Sequence, residues 1–377
     1  MVDRSRVQEI LTRAVGGERI SEDDALVLLR EGEFLELGAA AHAVRNRLND
    51  PKVVTYIVDR NINYTNICVY KCKFCAFYRR PGDPEGYLLS REELREKIQE
   101  TIDLGGTGVL LQGGVHPDLP LEYYEDLLRW MKEEFPEVHR HAFSPPEILF
   151  VSRVTKKPLR EVISRMIDAG LQSIPGGGAE ILVDQIRKDT LSYPKASSQG
   201  WLDVMRTAHE LGLRTTATMM FGQGESIEDR VEHMRKVRAL QDETKGFTAF
   251  IGWTFQNENT EMTEIEEASG FEYLRQQAVA RLYMDNIRSI QSSWVTQGLG
   301  IGQLALKFGA NDMGSIMIEE NVVAAAGARN RVTSAEMKRL IRDAGFEPVQ
   351  RLTLYQGFVD EATHERVNRE AGAVRAS

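Results

Sequence analysis

From Lys52 onward, short apolar runs alternate with stretches whose apolar residues recur at helical spacing. VVTYIV, TGVLLQGG, HRHAFSP, LQSIPGG, LRTTATMMFG and FTAFIGWTF read as strands, and QSSWVT and QLALKFGA follow the same pattern less clearly. Helical patterns lie between them. The clearest runs from Ser90 to Leu104, where Ser90 and Glu93 form a capping box, Leu94, Ile98 and Ile102 keep a four-residue spacing, and Gly105 supplies the stop. Ser226 with Asp229 opens another helix, expected to reach about Leu240. Before the first strand, Ser21 caps EDDALVLLREGEF and an Ala-rich helix runs through LGAAAHAVRNRLND. AEMKRLIRDAGFEPVQRLTLYQ reads as a closing helix and strand.

Strand–helix units in series imply a parallel sheet, and their length suits a barrel better than an open sheet. The expected class is therefore α/β, a (β/α)8 TIM-type barrel, complete or partial, with an N-terminal helical extension. Residues 1–50 form the extension, 51–360 the barrel domain and 361–377 a charged peripheral tail.

Composition narrows the function. A chain of 377 residues with 42% apolar and 27% charged content has material for one large core or two ordinary ones. With 47 basic against 56 acidic side chains the formal charge is −9, which argues against a nucleic-acid partner. No apolar run approaches the roughly 18 residues of a membrane span, and MVDRSRVQEIL has no leader-like apolar region. The expectation is a cytoplasmic protein with neither nucleic acid nor membrane as partner.

All three cysteines, Cys68, Cys72 and Cys75, fall in CVYKCKFC. An odd, tight cluster is no disulfide framework and points to metal or redox chemistry. Such a loop can wrap three thiolates around one cube-shaped iron–sulfur cluster and leave the fourth iron free. A structural zinc would want a fourth ligand, and the nearest histidines, His42 and His116, stand well away.

C-x3-C-x2-C with Phe74 before the last cysteine, directly after the first barrel strand, resembles the radical S-adenosylmethionine superfamily. The stretches NYTNICVYKCKFCAFYR, GTGVLLQGGVHPDLP, HAFSPPEI, SIPGGGAEIL, TATMMFGQGE, FTAFIGWTFQNENT and FGANDMGSIMIEENVVAAAGA resemble, within it, the cyclic dehypoxanthine futalosine synthase family of the futalosine route to menaquinone. The resemblance implies a [4Fe–4S] cluster on Cys68, Cys72 and Cys75, with S-adenosylmethionine on the open iron. It places Phe74, Gly113, Gly114, Ser144 and Glu180 around that cofactor, although Val115 stands where the related Gly-Gly-Glu element has an acid. It further implies a small-molecule substrate, dehypoxanthine futalosine, cyclised after loss of its ribose C4′ hydrogen, and an external electron donor such as flavodoxin or ferredoxin. Sibling enzymes, aminofutalosine synthase and the halves of deazaflavin FO synthase, share the framework, and a non-enzymatic iron–sulfur carrier is the reading from another class.

The cyclisation needs a base for one proton. His116, just past the glycine pair, and Tyr78, just past the last cysteine, are candidates, as are Asp312 and Glu319 after the presumed eighth strand. Each has an ordinary role to set beside the catalytic one: loop packing for His116, helix capping for the carboxylates. Gly176-Gly177-Gly178 reads either as a phosphate cradle or as a tight strand-to-helix turn, and lacks the Lys and Ser/Thr of a nucleotide-binding loop.

Overall fold

A computed structural model describes residues 4–190 and 195–359; the tail expected at 361–377 lies outside the described residues. Ten parallel strands form one sheet: β1 (Val53–Ile57), β2 (Asp59–Ile62), β3 (Gly108–Leu111), β4 (His139–Ala142), β5 (Ser173–Ile174), β6 (Arg214–Phe221), β7 (Phe247–Thr254), β8 (Ser289–Gln291), β9 (Asp312–Ser315) and β10 (Glu347–Gln350). The order is β10-β1-β9-β8-β7-β6-β5-β4-β3-β2. β1 and β2 are two halves of one run broken only at Val58. β1 pairs with β9 while β2 pairs with β3, so the sheet curls back onto its own first strand as an eight-position barrel.

β10 lies beside β1 at its lower half, Val53 opposite Glu347 and Tyr56 opposite Gln350. The chain then turns inward. Arg351 bridges back to Phe358, and Tyr355, in the left-handed region at φ 59°, donates its hydroxyl to Gln291 Oε1 at 2.7 Å. This turn fills the N-terminal end of the barrel, where Thr353 crowds Gly108 at the start of β3.

Helices cover the outside, among them Arg91–Asp103 with the Ser90/Glu93 box in place and Leu94 and Ile98 buried. The helix opened by Ser226 runs on to Thr244, further than its apolar pattern suggested. Three helices, Arg4–Gly16, Glu22–Glu31 and Phe34–Leu48, precede β1. Leu28, Leu37 and Ala41 share one apolar cluster with barrel residues such as Val54 and Ile290.

QLALKFGA is not a strand. Its first residues finish the helix Trp294–Ala305, a turn through Gly309 at φ 97° follows, and β9 begins only at Asp312. The apolar residues there pack at helical spacing, Ala305 and Leu306 buried and Leu304 half exposed, while β9 itself reads DMGS with no β-branched side chain. Asp312 therefore opens the last barrel strand instead of following it.

Candidate functional site

The C-terminal ends of the strands surround a cavity of about 370 Å³, the face on which barrels of this type build their sites. The cysteine loop follows β2, and backbone contacts fix it. Cys68 N–H donates to Arg79 O at 2.8 Å, Val69 N–H to Val115 O at 2.9 Å and Cys75 N–H to Cys72 O at 3.0 Å. All three cysteines are free and line the cavity.

Burial pushes the Cys68 thiol up, against the Val115 N–H that donates to its sulfur at 3.3 Å, and pushes Cys75 up to about 11. Lys195 sits among these sulfurs. Burial works against its charge, but Cys72 and Glu180 keep it an ammonium, with Nζ 5.3 Å from the centre of the Phe74 ring. A local cation is what makes thiolates tolerable in such a place.

Gly113 and Gly114 are forced by close approach. A Cβ on Gly113 would meet the Tyr64 ring at 2.8 Å, and one on Gly114 would stand 2.4 Å from Ile67 O, in the segment that carries Cys68. The three glycines after β5 have the same cause: added Cβ atoms would strike Thr218 N at 2.7 Å, Gln112 Nε2 at 2.1 Å and Pro146 Cγ at 2.3 Å. Thr216 Oγ1 already accepts the Gly176 N–H at 3.0 Å, so the tight-turn reading accounts for this stretch.

Glu180 follows in a left-handed conformation, φ 40°, a strained choice for a non-glycine residue. Its Oε1 lies 3.4 Å from Lys195 Nζ, while the buried Oε2 has no hydrogen-bond donor and stands 3.6 Å from Arg187. The two neighbouring cations offset the charge of this buried carboxylate on the cavity wall.

Phe74, Gly113, Gly114, Ser144 and Glu180 all line the cavity, and so does Tyr78. His116, Asp312 and Glu319 do not. His116 Nδ1 accepts the Asp118 N–H at 3.1 Å. Glu319 is tied on the outside to Lys97 at 2.7 Å and Arg60 at 3.2 Å, and it is the adjacent Glu320 that faces inward. Asp312 is wholly buried against Arg351. Each of the three already has a structural partner.

Glu147 was part of a quoted motif but had no role assigned. Its Oε1 accepts the Tyr64 hydroxyl at 2.6 Å and the Gly113 N–H at 3.3 Å, and its Oε2 accepts the Ser144 N–H at 2.7 Å and hydroxyl at 2.5 Å. One carboxylate thus clamps the glycine pair and Ser144 together. Burial nevertheless pushes its pKa up to about 7, with the hydrogen bonds pulling the other way. Since the folded value lies above the ordinary one, the folded state binds the proton more tightly. The stability tied to this group is full below about pH 4.5 and is lost as pH rises through about 7. Between pH 8 and pH 5 the parent is expected to gain about 2–3 kcal/mol relative to Glu147→Gln, from denaturant titrations of both proteins. A difference that stays constant with pH would mean Glu147 is ionised throughout.

The donor set can be tested for the metal it suits. Among the described residues no three His, Cys, Asp or Glu side chains converge closely enough for a single metal ion. Three thiols spread along one loop suit a cube of four irons, each thiolate able to take its own iron while one iron would be left without a protein ligand.

Residues 62–237 match the radical SAM superfamily, and residues 244–364 match the CofH/MqnC C-terminal region. The cyclic dehypoxanthine futalosine synthase of Halalkalibacterium halodurans is 47% identical over 350 residues, which is 93% of this chain and 94% of that protein. The chain belongs to the radical SAM superfamily. The aminodeoxyfutalosine synthase of Thermus thermophilus is 39% identical over 358 residues, 93% of this chain and 95% of its own. Methylornithine synthase (PylB) shares the fold, with a TM-score of 0.70 at 20% identity, covering 95% of this chain and 99% of that one.

Radical SAM enzymes use a [4Fe–4S] cluster and S-adenosylmethionine, and these are the cofactors here. Cys68, Cys72 and Cys75, the three thiols on the cavity wall, would hold the cluster. Where the related Gly-Gly-Glu element carries its acid next to the glycines, this radical SAM chain has Val115 and brings Glu147 to the Gly113 amide from the helix Pro145–Thr155, after β4. No helix among the described residues is long and apolar enough to cross a membrane.

Proposed function

We propose that the protein cyclises dehypoxanthine futalosine to cyclic dehypoxanthine futalosine, a step of menaquinone biosynthesis, with an external donor of the flavodoxin or ferredoxin class supplying electrons. The observation that carries this reading is the 47% identity along nearly the whole chain to an enzyme of that name, ahead of the 39% shared with the sibling synthase. With the cluster held by Cys68, Cys72 and Cys75, bound S-adenosylmethionine would supply the radical chemistry that takes the ribose C4′ hydrogen.

The chain's own residues do the rest. Trp253, Ile251 and Val295 give the cavity an apolar wall, which keeps a carbon radical away from water. Asn61 and Thr218 on strands, with Gln112 directly after β3, offer polar groups at fixed positions, suited to orienting a polyhydroxylated ring. The strands that carry them are locked in one sheet, so the reacting groups are positioned before the substrate arrives.

Mass spectrometry of the products formed from dehypoxanthine futalosine under anaerobic, reducing conditions tests the reading. Expected are free 5′-deoxyadenosine and, in equal amount, a product lighter than the substrate by two hydrogens. A product that keeps the adenosyl group would assign the chain to the sibling chemistry, and no turnover of any nucleoside would favour an iron–sulfur carrier.

A further inference from the structure

The proposed cyclisation leaves one proton to be removed, and the cavity wall holds few groups able to take it. Glu320 has both oxygens occupied: Oε1 accepts the amides of Val322 at 2.7 Å and Val323 at 3.0 Å, and Oε2 accepts Asn61 Nδ2 at 2.8 Å. Glu180 stands between Lys195 and Arg187. His141 shares its Nδ1 with Ser173 Oγ at 2.6 Å, and burial drops its pKa to about 3, so it resists a second proton. Tyr70, Tyr78 and Tyr355 already carry their protons.

Asp59 differs from all of these. It opens β2, and with Asn61 and Asn63 it forms a column of alternate residues that line the cavity. Arg351 is the cation nearest in kind, but its Nε and Nη2 are both spent on Asp312, at 2.5 and 3.1 Å. Asp59 therefore forms no ion pair with that guanidinium and feels its charge only at longer range, beside the Ser315 side chain.

We propose that Asp59 is the base that accepts the proton released when the new ring closes. This rests on the cyclase reading. Once the C4′-centred substrate radical has bonded to the benzoate ring, the attacked ring carbon keeps its hydrogen and the ring holds an unpaired electron. Restoring the aromatic ring breaks that C–H bond: the proton goes to the Asp59 carboxylate and the electron to a one-electron acceptor of the iron–sulfur class. Burial, with Asp312 nearby, raises the pKa of Asp59 against the Ser315 hydroxyl and the Arg351 charge, which makes the ionised form a stronger base than a surface carboxylate.

The test is Asp59→Asn in cluster-loaded protein given dehypoxanthine futalosine and S-adenosylmethionine under reducing, anaerobic conditions. Expected is 5′-deoxyadenosine within about threefold of the parent while the cyclised product falls by a factor of ~10² to 10⁴, the worth of a positioned base. Asp59→Glu should recover part of the loss. Substrate binding to the unreduced protein, read by equilibrium dialysis, should stay within about threefold of the parent. If the Asn variant fails to hold its iron, Asp59→Ser replaces it in every arm. Cyclised product at nearly the parent rate overturns the assignment. So does a parallel fall of binding, 5′-deoxyadenosine and product, which would make Asp59 a residue that positions the ribose. An adenosyl adduct from the parent protein overturns the cyclase reading itself, and this assignment with it.

Discussion

Changing any one of Cys68, Cys72 or Cys75 to Ala is expected to abolish formation of 5′-deoxyadenosine. The three thiols are the only cysteines in the chain, so no spare ligand can move in. Two thiolates would have to hold a cube that leaves one iron open by design, and the loop offers no carboxylate or imidazole in exchange. Reconstituted parent protein should bind about four irons per chain, and each variant distinctly fewer. The loop should survive, because main-chain bonds to Arg79 and Val115 fix it independently of the thiols. Iron analysis, the visible absorption of the cluster and the melting temperature separate loss of the cluster from loss of the fold. Full activity in Cys72→Ala, or one tightly bound zinc in anaerobically purified parent, would sink the cluster assignment.

How far the sequence foretold this site depends on which way each residue faces. The barrel was legible because its helices keep their apolar stripe and its longer strands, β6 and β7, are eight-residue stretches rich in β-branched and aromatic residues. The cysteine motif was legible because its spacing is local. What escaped is the inner face of the barrel, where a strand trades apolar for polar side chains to line a cavity. DRNIN looks like the end of a strand when read for hydrophobicity, yet it continues β1 as β2 and turns Asp59, Asn61 and Asn63 inward. Alternation of polar residues directly after VVTYIV was the signal available.

Other features escaped because they join distant parts of the chain. Lys195 reaches the cysteines from a loop over 100 residues later in the sequence, and no local pattern marks it. His116 looked attractive from its distance to the glycine pair, but sequence distance does not say on which side of a loop a ring falls. Glu319 and Glu320 are neighbours with opposite directions, one in an outer ion pair with Lys97 and the other on the cavity wall. Asp312 departs from expectation for a different reason: β9 is short and built of small residues, so hydrophobicity alone places its first residue in a loop beyond the preceding apolar run.

That displacement gives Asp312 its large expected effect. Its carboxylate takes two hydrogen bonds from Arg351, the Thr55 hydroxyl at 2.5 Å and the Gly314 N–H at 2.8 Å, and both partners of the ion pair are buried. Arg351 in turn lies 3.5 Å from the centre of the Tyr355 ring, in the turn that fills the N-terminal end of the barrel. Asp312→Ala would leave a guanidinium in a dry interior with Asp59 too far away to form an ion pair, so about 3–5 kcal/mol of stability should be lost. The double variant Asp312→Leu with Arg351→Met removes both charges and should recover most of that loss, since an apolar pair of similar volume carries no desolvation penalty. Denaturant titration of the single and double variants checks this. A single variant that loses less than about 1 kcal/mol would mean that water reaches Arg351 and that the end of the barrel is open.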